Sequence, residues 1–208
     1  STTSPGSTGL SGNGEVEDYL VNIAAPTTDF GDHSGFGSVS NAVSSNLRLG
    51  ALVDAEFTAT TNATATGDDI TGSDDEDGVT VPAMIAGQTL PLPMTVTNLT
   101  GAGAFLNVWI DFNNNGSLLD SGEQVIANLA VANGSSNAAI SPSISIPANA
   151  LTGTSLGLRA RLVTTSGAGA TGTLGTPGEI EDYVVTLAAP TTDFGDFTVL
   201  GSASSTVN

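Results

Sequence analysis

Apolar residues in this chain fall in short alternating runs and not at helical spacing. The runs are VTVP (79–82), LPLPMTVTN (90–98), AFLNVWID (104–111), QVIANLAV (124–131), ISPSISIP (140–147), LGLRARLV (156–163) and IEDYVVTL (180–187). Clusters of Gly, Asn, Ser and Pro separate them at about the spacing of sandwich strands. The pattern predicts an all-β fold, a β-sandwich of immunoglobulin-like or jelly-roll-like kind, with long loops between its strands.

Composition supports that class. Apolar residues make up 39% of the chain, Gly occurs 26 times, and Lys, a residue that stabilises exposed helices, is absent. Apolar runs are all shorter than the roughly 20 residues that span a bilayer as a helix, so membrane insertion is not expected. Cys is also absent, which removes disulfides and thiolate metal sites together. Without Lys there are no Lys to Asn or Lys to Asp amide cross-links either.

Charge changes the picture more. Asp and Glu number 21 against three Arg, for a formal charge of −18, which disfavours nucleic acid and anionic membrane as partners. The acids are not scattered. They fall in GEVEDY (14–19), TDFGD (28–32), VDAE (53–56), GDDITGSDDED (67–77), DFNNNGSLLDSGE (111–123), GEIEDY (178–183) and a second TDFGD (192–196). Two carboxylates about 6 Å apart repel by about 2–3 kcal/mol at an effective dielectric near 20. Loops this dense in acid stay open unless a counter-charge joins them, and several oxygens in one place suit a hard cation, calcium above all.

One loop carries the most specific ligand pattern. Asp111, Asn113 and Asn115 stand at positions 1, 3 and 5, Gly116 at 6, Ser117 at 7, and Glu123 beyond. This is the order of oxygen ligands in an EF-hand loop, except that Glu123 stands at position 13 where 12 is usual, and Asp120 could substitute or assist. The loop follows a strand, LNVWI, so the chemistry sits on a β scaffold. A second cage is expected from Asp68, Asp69, Asp74, Asp75, Glu76 and Asp77, to which Asp29, Asp32, Asp54 and Glu56 lend ligands or only cap turns. In GEIEDY, alternation puts Glu179, Glu181 and Tyr183 on one face and Ile180 and Asp182 on the other. Glu179 and Glu181 either ligate the cation, with Asp182 beside them, or pair with Arg159 and Arg161 across a neighbouring strand.

The motifs recur at an offset of 164 residues. GEVEDY returns as GEIEDY, APTTDFGD (25–32) returns unchanged at 189–196, and GSVSNAV (37–43) aligns on GSASSTV (201–207). A period this long predicts globular units and not a solenoid. Residues 1–26 are read as the C-terminal strand and tail of a preceding repeat, or as a donor strand; 27–190 as one complete unit; 191–208 as the start of the next. Either a tandem array or strand exchange between separate subunits leads to a fibre.

Taken in order, TDFGD (28–32), LRLGALVDAE (47–56), GDDITGSDDEDGVTVP (67–82), VWIDFNNNGSLLDSGEQV (108–125), LRARLV (158–163) and GEIEDY (178–183) resemble the GEVEDY domain family of bacterial surface repeats. The resemblance implies a calcium-dependent β-sandwich in secreted or cell-surface proteins, commonly in tandem or beside adhesion modules, with no catalytic role. The stretch from His33 to Asn46 is shorter in aromatic residues and Pro than that pattern.

Catalysis has little footing in the residues. Trp109, Tyr19 and Tyr183 are the only Trp and Tyr, so an aromatic platform for a glycosidase cleft is missing, and His33 reads as an exposed loop residue. Trp109 lies mid-strand and is expected in the core. The functional expectation is a structural, calcium-stabilised repeat of an extracellular bacterial filament or surface stalk, with identical neighbouring repeats as partners. The alternative is an adhesin module that binds glycan or a surface protein.

Overall fold

The computed structural model describes residues 17–67, 75–194 and 204–206. Its strands are β1 (Thr28–Phe30), β2 (Val39–Ala42), β3 (Leu47–Leu49), β4 (Met84–Ile85), β5 (Thr89–Pro91), β6 (Met94–Asn98), β7 (Ala104–Ile110), β8 (Gln124–Val131), β9 (Ser135–Ile140), β10 (Ser143–Ser145), β11 (Ser155–Val163), β12 (Gly172–Ala188), β13 (Thr192–Phe194) and β14 (Ser204–Thr206). Among the described residues there is no helix. The fold is all-β, as the alternation predicts.

The larger sheet runs β1-β2-β12-β11-β7-β8, with β4 also on β12, and the smaller runs β3-β6-β9. Strands β5 and β10 pair with each other. Core side chains come from facing strands: Leu47, Leu49 and Val96 from the smaller sheet, and Leu106, Val108, Leu158, Leu162, Val185 and Leu187 from the larger. This is the inner layer of a sandwich, filled by every second residue of each strand.

Strand β11 is buried on both faces. Leu156, Leu158, Ala160 and Leu162 point into the sandwich, while Arg159 and Arg161 point to the other side and are equally buried. That outer face is covered by residues 29–42 and 169–172, whose backbone and side chains reach the two guanidinium groups. A small second cluster of Phe36, Trp109, Leu118 and Ala170 packs there. Trp109 is therefore buried, as expected, but in this outer layer and not in the main core.

Three expectations need correction. Residues 79–82 form no strand, because Val79 makes only an isolated bridge to Met94. A strand not read from the sequence, β9, forms from SSNAAI and closes the smaller sheet. And β12 begins at Gly172, not at residue 180, since the stretch to Pro177 lies parallel to β2; its Gly and Pro content hid it.

The repeat is visible in the backbone. Thr28, Asp29 and Phe30 pair with Ala42, Asn41 and Ser40, and Thr192, Asp193 and Phe194 pair with Thr206, Ser205 and Ser204. Each pair of the second hairpin is the first shifted by 164 residues, so corresponding positions make the same register twice.

Candidate metal centre

The Asp111 to Glu123 loop joins β7 to β8 and is shaped by its own polar side chains. The Asp111 carboxylate accepts the N–H groups of Asn115 at 3.1 Å and Gly116 at 2.8 Å. Asn115 N–H also reaches Asn113 Oδ1 at 3.0 Å, and Ser117 N–H reaches Asn115 Oδ1 at 2.8 Å. Asn114 and Gly116 take the left-handed conformation this winding needs, at φ of 53° and 80°. At the rim, Asn113 and Asn115 donate to Asp120 Oδ2 at 2.9 and 2.7 Å. Those two amides hold the exposed Asp120 carboxyl below its ordinary value. The Ser117 hydroxyl accepts from Leu119 N–H.

The sequence pair that brackets this loop is brought together. Asp111 and Glu123 are both 2% exposed, anchored where Ile110 N–H bonds the Glu123 carbonyl at 2.9 Å. Neither oxygen of the Glu123 carboxylate has a hydrogen-bond partner. Burial pushes its pKa up, and the charges of Asp111 and Asp120 push it further, partly offset by the nearby N–H groups of Asp120 and Asn113. Glu123, Asn113 and Asp120 also line a hollow of about 100 Å³. A buried, unpaired carboxylate is costly unless it is neutralised.

A second group of acids gathers where the GEIEDY segment of β12 faces β3 and residues 75–79. Glu179, Glu181 and Tyr183 do share a face, as alternation requires, and it is the inner one: Glu179 lies opposite Leu162 and Glu181 opposite Ala160. Glu179 Oε2 accepts the Leu49 N–H, while its Oε1 is buried with no partner. Glu181 Oε1 accepts Gly78 N–H at 2.8 Å and Asp77 N–H at 3.2 Å, and Oε2 accepts the Tyr183 hydroxyl at 3.0 Å. Asp29, also buried, accepts Ile180 N–H at 2.7 Å.

Their electrostatics agree with that crowding. Burial raises Glu181 to about 8, against the Gly78 N–H and Tyr183 hydroxyl that lower it, and Asp77 and Asp75 add to the rise. Glu179 is pushed well above the usual range by burial and then by the charges of Glu181 and Asp29. Asp29 is pushed up by burial, against the Ile180 N–H, with Glu56, Asp75 and Glu181 adding to the rise. Asp75, Glu56 and Asp29 thus belong to one electrostatic group with the two glutamates.

The other acids have separate roles. Asp75 Oδ2 accepts Asp54 N–H at 2.8 Å, and Glu56 Oε2 accepts Phe30 N–H at 3.1 Å. The exposed Asp77 caps the turn at Ala51, and Glu76 contributes a charge felt by Tyr183. Asp32 does not join Asp29: its Oδ2 accepts Gly67 N–H at 2.9 Å and ties down the 33–66 segment. Asp68, Asp69 and Asp74 lie outside the described residues.

The arginine row meets a different partner from the one expected. Register places Arg159 opposite Asp182 and Arg161 opposite Ile180, so both arginines share the outer face with Asp182 and face away from the glutamates. Arg159 makes a two-point pair with Asp182, Nε to Oδ1 at 2.7 Å and Nη2 to Oδ2 at 2.6 Å. Asp182 is thereby engaged as an ion-pair partner, with His33 N–H on the same oxygen at 2.9 Å. Among the described residues Arg161 pairs with no carboxylate: it donates to Asn41 Oδ1 at 2.9 Å and to the carbonyls of Gly169, Ser40 and Gly172. Burial and the Arg159 charge lower it to about 10.

Several partners were not read from the sequence. Tyr183 links Glu181 to Val79 N–H; its place on the glutamate face was legible, its bond was not. Asn41 and Phe36 had no signal. Phe36 stacks on His33 with centroids 4.2 Å apart and lies 5.3 Å under the Arg159 guanidinium. His33 is therefore half-buried where an exposed residue was expected, and burial lowers its pKa.

Chemically, both groups offer only oxygen donors, a set suited to a hard cation. Among the described residues, no three of His, Cys, Asp or Glu converge closely enough to form a ready-made cage. At the 111–123 loop the donors in reach are Asp111 and Glu123 together with Asn and backbone oxygens. The unpartnered Glu123 oxygens and Glu179 Oε1 fit a cation, because each lacks the positive partner its burial calls for.

Comparison of the chain with curated proteins and with solved structures gives no match. Residues 105–186 match the family model of the GEVED domain, a span that starts within β7, takes in the 111–123 loop and β11, and ends within β12, and by that match the chain carries a GEVED domain.

Proposed function

We propose that this chain is a structural, calcium-stabilised repeat of an extracellular bacterial filament or surface stalk, with no catalytic role. The observation that carries the reading is the buried Glu123 carboxylate, unpartnered at both oxygens beside buried Asp111, in a loop whose ligand order is that of a calcium site. The second acidic group supports it, since Asp29, Glu179 and Glu181 are all buried and the two glutamates lie on the face of β12 opposite to Arg159 and Arg161. Calcium would be held by Asp111, Glu123 and the Asn113, Asn115 and Ser117 region at the first place. At the second it would be held by Glu179, Glu181, Asp29 and Asp75. When bound, it supplies the counter-charge that lets these carboxylates stay ionised inside the fold. The repeated hairpin register supports the tandem or filament part of the reading. An adhesin would present an aromatic platform, and the burial of Trp109 leaves that alternative without one from Trp.

The test is thermal unfolding of the chain in saturating calcium and in chelator, with a count of bound ions. At a hundredfold excess over its dissociation constant, each site adds about 2.7 kcal/mol. For a domain of this size that is about 5–11 °C per site. An unchanged midpoint with no bound ion refutes the calcium reading.

A further inference from the structure

Among the described residues, one strand-like apolar segment is paired with no strand. Residues 17–26, EDYLVNIAAP, are a near copy of 181–190, EDYVVTLAAP. In β12 the second copy is central to the sheet, with Val185 and Leu187 buried at 2% and 0%. The first copy belongs to no strand, and Tyr19, Val21 and Ile23 are 78%, 75% and 81% exposed. In an extended chain these three point to one side, about 6.6 Å apart. Their place in this unit is already filled by β12.

The same molecule has an edge with nothing on it. Among the described residues β8 pairs only with β7, and β10 only with β5. Between β8 and residues 140–147 lie two open hollows of about 390 Å³ each, one at either end of β8. Leu129, Val131, Ile140 and Pro142 line the first, and Val125 and Ile146 line the second. Edge strands are normally blunted by charge, Lys or Pro, and QVIANLAV contains none of these. Its devices are two bulges, one around Asn128 and one at Val125, where the register with β7 shifts, and the residues between and beyond them remain unpaired on the outer edge.

We infer that residues 17–25 of one copy seat as an added strand along β8 of a second copy, with Tyr19, Val21 and Ile23 in the apolar hollows. The inference deepens the filament reading and rests on it. Each copy with such a segment and such an edge can bind one neighbour on each side, so the contact is head-to-tail, the class of contact from which fibres are built. Like charges on a chain of −18 oppose association, so the contact depends on apolar burial and strengthens as salt screens the repulsion.

Sedimentation of the whole chain over a range of concentration and salt, in calcium, reads the association. Val21→Asp with Ile23→Asp, and separately Ala130→Arg on the exposed edge, weaken it at least tenfold and leave the unfolding midpoint unchanged. Asn22→Asp, on the other side of the segment, has little effect. Because the chain has no Cys, Val21→Cys with Leu129→Cys, which lines the hollow, reports the contact as a disulfide between chains. A monomer at every concentration overturns the inference, as does association that these variants leave intact. So does cross-linking of Asn22→Cys to Ser155→Cys between chains, since Ser155 faces Thr186, the copy of Asn22, and that result puts the segment in the β12 position. Bound calcium and the midpoint are read separately from mass, so failure of the contact is distinguishable from failure of the calcium site.

Discussion

Asp182→Asn isolates the energetic role of the ion pair on the outer face. Arg159 and Asp182 are both 0% exposed and joined at two points. Asn keeps the shape, and its amide oxygen can still accept the His33 N–H and Arg159 Nη2, but it removes the carboxylate charge, the only one bonded to the guanidinium among the described residues. Arg159 would keep that neutral bond, the Ala170 carbonyl at 2.9 Å and the face of Phe36, too little to compensate a buried charge. Breaking a buried pair on one side costs about 3–5 kcal/mol. At about 2–4 °C per kcal/mol for a domain of this size, the midpoint falls by about 6–20 °C. Calorimetry in saturating calcium measures this with the metal sites held constant, and urea unfolding checks that the slope is unchanged, so that the loss is one of stability. Arg159→Met with Asp182→Leu removes both charges and recovers most of it, since such replacements are often neutral. A loss below about 1 kcal/mol for Asp182→Asn would refute the reasoning, because it would mean that water or another group solvates the guanidinium.

Other outcomes follow from the acids. Glu123→Gln raises the stability in chelator by about 1–3 kcal/mol, because an unpaired buried charge is gone, and lowers the gain from calcium; parallel melts in both buffers show the crossing. In chelator, stability falls as pH rises. The folded pKa values of Asp29, Glu179 and Glu181 lie above their unfolded values, so the native state binds more protons and is most stabilised below about 4.5. That contribution is lost as pH climbs through about 8, the Glu181 value. Melts across this range show a falling midpoint, flattened when calcium is present. Gly157→Ala places a Cβ 2.1 Å from Phe36 Cζ and should cost about 1–3 kcal/mol by overpacking, with a shift in Trp109 emission as its cluster with Phe36 loosens.

Much of this molecule is written in local pattern. Alternation along GEIEDY placed Glu179, Glu181 and Tyr183 on one face and Ile180 and Asp182 on the other, as the register with β11 bears out, because the pleat has a period of two whatever the neighbours are. The order of Asp, Asn and Gly from 111 to 117 specified a tightly wound loop, because those residues bond their own backbone within a few positions. The offset of 164 residues marked the two copies of TDFGD, while the hairpin that each forms came from the structure.

What only the tertiary structure decided depends on which strands meet and in what register. The slide of β11 against β12 made Asp182 the partner of Arg159 and turned both glutamates inward, and a pattern on one strand carries no information about that slide. Burial of the outer face was hidden as well, since its cover comes from residues 29–42 and 169–172, far apart in sequence. The split between Asp29 and Asp32, three residues apart yet committed to different neighbours, follows from β1 ending between them. The buried, unpartnered state of Glu123 is of the same kind: composition marks it as an acid, and only the packing of the loop against the sandwich removes its water.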